Sequence, residues 1–120
     1  MKLIALEEHY ANQRIMDENA KYGAPSGMAA LPENVRRAYD SMRFTGEKLL
    51  DVDSTRFDFM REQKVTMQVL SYTAPVSDMV PPGEAVRICA EANDILADVV
   101  KKYPDRFTTF ATLPMADLVE

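Results

Sequence analysis

At 120 residues, 47% apolar and 28% charged, the chain has the composition of an ordinary folded protein and enough length for one domain with its own core. A net charge of −5 argues against non-specific nucleic-acid binding, which needs a basic surface. The lone cysteine, Cys89, excludes an internal disulfide and a cysteine-rich zinc site. The N-terminal apolar run Leu3–Leu6 is too short for a secretory core of roughly 7–15 residues or a membrane helix of about 20. A cytoplasmic protein with no membrane and no nucleic-acid partner is the expectation.

In chain order, Lys2 to Glu8 reads as a strand. Its near-continuous apolar run, Leu3-Ile4-Ala5-Leu6, is the pattern of a strand covered on both faces in a parallel sheet. Asn12 to Tyr22 has the spacing of a short helix through Ile15, Met16 and Ala20. Gly23 to Gly27 is a loop, and Pro32 suits the first turn of a second helix carrying Val35, Ala38, Tyr39 and Met42, with Gly46 ending it. Asp53-Ser54-Thr55 is a helix N-cap cluster. The helix it opens, Arg56 to about Gln63, turns Phe57 and Met60 (or Phe59) to its apolar side. Thr66 to Ser71 follows as a second strand, ended by Thr73-Ala74-Pro75 and a proline-rich loop, Val76 to Gly83.

Glu84 to Tyr103 carries the clearest helical pattern. Ala85, Ile88, Cys89, Ala92, Ile95, Leu96, Val99 and Val100 form a wide stripe, Glu84 and Lys101-Lys102 suit the two ends of the dipole, and Pro104 stops it. Phe107 to Leu113 reads as a third strand, and residues 115–120 as the approach to another helix. Strands alternating with helices imply an α/β fold with a parallel sheet.

The residues with chemistry to offer lie at the end of the first strand. Strand alternation sends Glu7 and His9 to one face and Glu8 to the other. A carboxylate and an imidazole at that spacing suit a divalent metal, whereas a polar strand end facing solvent is the commoner meaning of such a pattern. Glu8 reads as a structural partner for a cation or hydrogen-bond donor. Ser71 to Ala74 follow the second strand and suit the mouth of a pocket. Asn93 and Cys89 flank and line the helical stripe, which suits a structural hydrogen bond and a small core residue rather than a nucleophile.

Together these stretches resemble a known family. Ala5-Leu-Glu-Glu-His9 is similar to the opening strand of the amidohydrolase-related, metal-dependent decarboxylases, the group that includes gamma-resorcylate and other hydroxybenzoate decarboxylases. Arg56-Phe-Asp-Phe-Met60 with Val65 and Val69-Leu70-Ser71, then Ala74-Pro75, agree in order and spacing. So do Ala92-Asn93-Asp94, Pro104-Asp-Arg-Phe107 and Phe110-Ala-Thr-Leu-Pro114. One departure stands out: the helix-to-strand turn usually carries an acidic residue and a glycine where this chain has Arg61 and Lys64.

The resemblance implies a TIM (β/α)8 barrel of the metal-dependent hydrolase type, with its site at the C-terminal ends of the strands. A full barrel takes about 250 residues, so residues 1–120 would be the N-terminal segment, about three β/α units, of one incomplete barrel domain. It implies a divalent metal, Zn2+ or Mn2+, held in part by Glu7 and His9, and an aromatic at Tyr22 with Thr73 and Ala74 beside the substrate. It also implies a homo-oligomer, and catalytic acid-base groups beyond residue 120. The activity implied is non-oxidative decarboxylation of a hydroxylated aromatic carboxylic acid, with this chain alone inactive. Two alternatives stand beside it: a metal-dependent hydrolase of lactone, C–O or C–N bonds on the same barrel, and a non-catalytic module that must associate with a partner.

Overall fold

The computed structural model of the chain describes residues 1–22, 32–41, 48–73 and 80–115. Its elements run β1 (Ile4–Tyr10), α1 (Gln13–Ala20), α2 (Glu33–Ser41), α3 (Thr55–Glu62), β2 (Met67–Tyr72), α4 (Pro82–Lys102) and β3 (Phe107–Thr109). The three strands form one parallel sheet in the order β1-β2-β3, an α/β arrangement with β2 in the middle. Among the described residues no helix is long and apolar enough to cross a membrane.

Local chemistry explains most boundaries. Asn12 caps α1 by accepting a hydrogen bond from the Arg14 amide at 3.0 Å. Ser54 occupies the cap position of α3, yet its side chain makes no cap bond. The cap is supplied from further back: the Asp51 carboxylate accepts from the amides of Asp53 (3.1 Å), Ser54 (3.0 Å) and Arg56 (3.1 Å) and from the hydroxyls of Ser54 and Thr55. The Asp53-Ser54-Thr55 cluster is therefore where the donors lie, and the acceptor precedes it. At the other end of α3, Lys64 takes the left-handed conformation, φ 58°. Its amide bonds Arg61 O at 3.2 Å and the Val65 amide bonds Met60 O at 2.8 Å, the paired closure of a helix that turns directly into a strand. The longest helix, α4, starts at Pro82, two residues earlier than the sequence pattern suggested, because a proline fits the first turn without needing its missing N–H.

Helices α3 and α4 cover one face of the sheet. Tyr10, Met60, Leu70, Leu96 and Phe107 make one buried cluster there, flanked by Phe57, Val65, Val99 and Val100. Met60, Leu70, Leu96 and Phe107 are fully buried, and burial of each such side chain contributes about 1.5–3 kcal/mol. Ile15 of α1 joins Val80, Ala85, Ile88, Cys89 and Ala92 in a second cluster. Cys89 is thus a core residue. Of the two candidates on α3, Met60 with Phe57 packs inward, and Phe59 stays 52% exposed.

Two expectations are corrected. Among the described residues the run Leu3–Leu6 is not covered on both faces: Ile4 is 46% and Leu6 66% exposed, because α3 and α4 pack on the opposite face of the sheet. The third strand stops at Thr109 instead of Leu113. Its register pairs Thr109 with Leu70, and the Phe110 amide takes the Leu70 carbonyl at 3.0 Å. Beyond that point the Asn93 side chain replaces the strand, donating to Thr112 O at 3.0 Å and accepting from its amide at 2.8 Å. The segments around Gly23–Gly27, Met42, Gly46, Pro75 and residues 116–120 lie outside the described residues.

Candidate metal-binding strand end

The end of β1 is held by its neighbours on the sheet. Glu8, His9 and Tyr10 pair in register with Leu70, Ser71 and Tyr72, and the Thr73 amide donates to Tyr10 O at 2.9 Å. The ladder is uneven just before this. Ala5 pairs with Gln68 and Glu8 with Leu70, so Leu6 and Glu7 together stand opposite Val69. Such a bulge kinks the strand and increases its twist, and here it is accommodated by Glu7 in the left-handed region, φ 57°. The simple alternation that places Glu7 and His9 on one face does not run through a bulge, so the two donors are neighbours by sequence and by strand end, not by pleat.

Glu7 and His9 are both exposed and Glu8 is half-buried. All three line a cavity of about 650 Å³, which Arg56, Phe59 and Gln68 also border. Glu8 shares the face of Tyr10, and its charge acts on Arg56. Among the described residues, no group of three or more histidine, cysteine or acidic side chains is arranged to hold a metal ion. Glu7 and His9 offer one oxygen and one nitrogen donor, a set that suits a borderline divalent cation and leaves much of its coordination open.

The residue that sequence reasoning overlooked is Arg56. It is 9% exposed, although it opens a helix flanked by polar residues. Its guanidinium donates to Asp51 O at 2.7 Å, His9 O at 3.0 Å, Lys48 O at 3.2 Å and Gln68 Oε1 at 3.3 Å. Burial draws its pKa below the ordinary arginine value, opposed by the charges of Glu8 and Asp51. A signal was present: Arg56 stands four residues before Met60, on the same inward stripe of α3.

The substrate-side candidates sit elsewhere. Tyr22 packs half-buried against the cluster of Ile15, Val80 and Ala85. Thr73 is half-buried just past the end of β2. Ala74 lies outside the described residues. The ring of Tyr72 meets that of Tyr10 edge-on at 5.2 Å. Its hydroxyl is buried without a hydrogen-bond partner among the described residues, and burial, with Tyr10 and Glu91 nearby, pushes its pKa up.

No protein-family model matches the chain. Along 95% of its length it is similar to gamma-resorcylate decarboxylases, at 34% identity to that of Rhodococcus jostii and 32% to that of a Rhizobium species. The chain spans 31% of the length of these relatives. Among solved structures, 5-carboxyvanillate decarboxylase from Sphingomonas paucimobilis superposes with a TM-score of 0.77 at 28% identity, over 97% of this chain and 36% of that one. A dihydroxybenzoic acid decarboxylase from Polaromonas, holding manganese and the inhibitor 2-nitroresorcinol, superposes with a TM-score of 0.65 at 32% identity, over 96% of this chain and 31% of that one. The resemblance to amidohydrolase-related decarboxylases thus holds in sequence and in backbone.

Proposed function

We propose that this chain is the opening part of an amidohydrolase-related, metal-dependent decarboxylase: the first three or so β/α units of a (β/α)8 barrel, carrying part of a site for a hydroxylated aromatic carboxylic acid. The observation that carries this reading is that likeness to such decarboxylases runs along 95% of the chain and includes the parallel sheet whose first strand ends in Glu7-Glu8-His9. In a barrel, strand ends are where the chemistry is assembled.

In this reading Glu7 and His9 donate to a divalent cation, with Mn2+ favoured by the manganese in the Polaromonas structure. Such a cation, when bound, supplies positive charge for the substrate's carboxylate and adjacent hydroxyl. The chain's own contribution is to orient: the β1–β2 pairing fixes the strand end that carries both donors, and Thr73, whose amide bonds Tyr10 O, stands beside that end. The groups that move the proton to the ring carbon are supplied from outside residues 1–120.

The test is a chimera in which this chain replaces the matching 115-residue segment of the Rhodococcus jostii decarboxylase. With Mn2+ it is expected to release CO2 from 2,6-dihydroxybenzoate. His9→Ala in that chimera should lower kcat/KM by at least about 100-fold, more than the loss of a group that only supports a ligand. A folded, manganese-loaded chimera that releases no CO2, or one that tolerates His9→Ala, refutes the proposal. Ring opening of a lactone without CO2 release would point to the hydrolase chemistry instead.

A further inference from the structure

The His9 carbonyl lies near the C-terminal end of β1, just after a bulge that interrupts the ladder with β2 at Leu6 and Glu7. A bulge of this kind disrupts the ladder locally and re-aims the residues that follow it. What meets the His9 carbonyl here is the Arg56 Nη2 at 3.0 Å. Arg56 is in turn immobilised from three other directions, by the carbonyls of Lys48 and Asp51 and by Gln68 Oε1 on β2. All four acceptors are neutral, so the planar, five-donor guanidinium is used as a geometric clamp between β1, the segment before α3, and β2.

Burying a charged group costs free energy, and a side chain needed only to fill space on the Met60 stripe would be apolar. The nearby charges of Glu8 and Asp51 offset that cost only in part. Resting on the reading of His9 as a metal donor, we infer that Arg56 is a positioning residue: by holding the His9 carbonyl it fixes the peptide from which the imidazole projects. Groups that orient metal ligands typically contribute 10–100-fold in metal affinity.

The experiment is a Zn2+ titration of the metal-free chimera with the Rhodococcus jostii decarboxylase, which completes the barrel around this chain, with circular dichroism recording the fold of every variant. Glu7→Gln and His9→Ala are each expected to weaken the binding. Arg56→Met should weaken it about tenfold or more. Arg56→Lys keeps the charge but has one nitrogen where three separate guanidinium nitrogens meet the Asp51, Gln68 and His9 acceptors, so it should also bind more weakly than the parent.

If Glu7→Gln or His9→Ala leaves Zn2+ binding by the chimera unchanged, the metal-donor reading fails first and the role of Arg56 falls with it. If both weaken it and a folded Arg56→Lys chimera binds Zn2+ as tightly as the parent, the positioning role alone is overturned. Should Arg56→Met fail to fold, Arg56→Lys decides. Loss of the fold in both variants also overturns the inference, because Arg56 then belongs to the fold and not to the site.

Discussion

Removing the Asp51 carboxylate is a direct test of how the helix carrying Arg56 is started. In the native chain five donors converge on it, and burial, which would raise its pKa, is outweighed by hydrogen bonds from the Thr55 hydroxyl and the Ser54, Asp53 and Arg56 amides, which hold it below the carboxylate range. In Asp51→Ala the exposed Ser54 and Thr55 groups turn to water, but the amide of buried Arg56 loses its acceptor. Loss of a cap costs about 1 kcal/mol, and an orphaned buried donor adds about 1–3 kcal/mol. The two overlap, since both describe the same carboxylate, so about 2 kcal/mol is expected. Urea unfolding followed by circular dichroism reads this as a midpoint lowered by about 1–2 M. Ser54→Ala, which removes the residue at the cap position but none of the amide acceptors, should cost about 0.5 kcal/mol or less.

The same pair has a pH signature. A carboxyl group with a depressed folded pKa contributes its full stability above the unfolded value and loses it as pH falls through the folded value. The gap between the parent chain and Asp51→Ala should therefore be widest above pH 3.8, the ordinary value, and close only below it. If Ser54→Ala costs as much as Asp51→Ala, or if the gap persists unchanged into acid, Asp51 is not the cap.

Two other substitutions probe the closure of α3 and the clamp beyond β3. Lys64 closes α3 at a left-handed position where the resembling family usually has glycine, so Lys64→Gly should raise stability by about 1 kcal/mol in the same urea assay. A loss of stability there would mean that the lysine side chain offsets its backbone strain. Asn93→Ala should cost about 1–2 kcal/mol by stripping both backbone partners from Thr112, and should speed proteolysis within residues 110–115. Unchanged cleavage of that segment would show that the Asn93 clamp does not hold it.

The order of elements, the stripe of α4, the core placement of Cys89 and the structural role of Asn93 were legible from sequence because each depends on short-range periodicity or on one residue type in a known slot. The likeness to the decarboxylases was legible for a related reason: its motifs keep their order and spacing along the chain. The corrections share the opposite cause. Whether Leu6 is covered depends on which elements pack against β1, and where β3 ends depends on where β2 offers partners. The bulge at Glu7 depends on how β1 meets β2, some sixty residues away, and no local pattern encodes that register. Arg56 reads as a surface cation until the carbonyl of His9, 47 residues earlier, is brought to its guanidinium. Sequence by itself therefore determined which side chains this chain has for chemistry, Glu7 and His9 foremost. Tertiary structure decided what holds them, because a buried charge and a bulged strand are settled only when distant backbone groups meet.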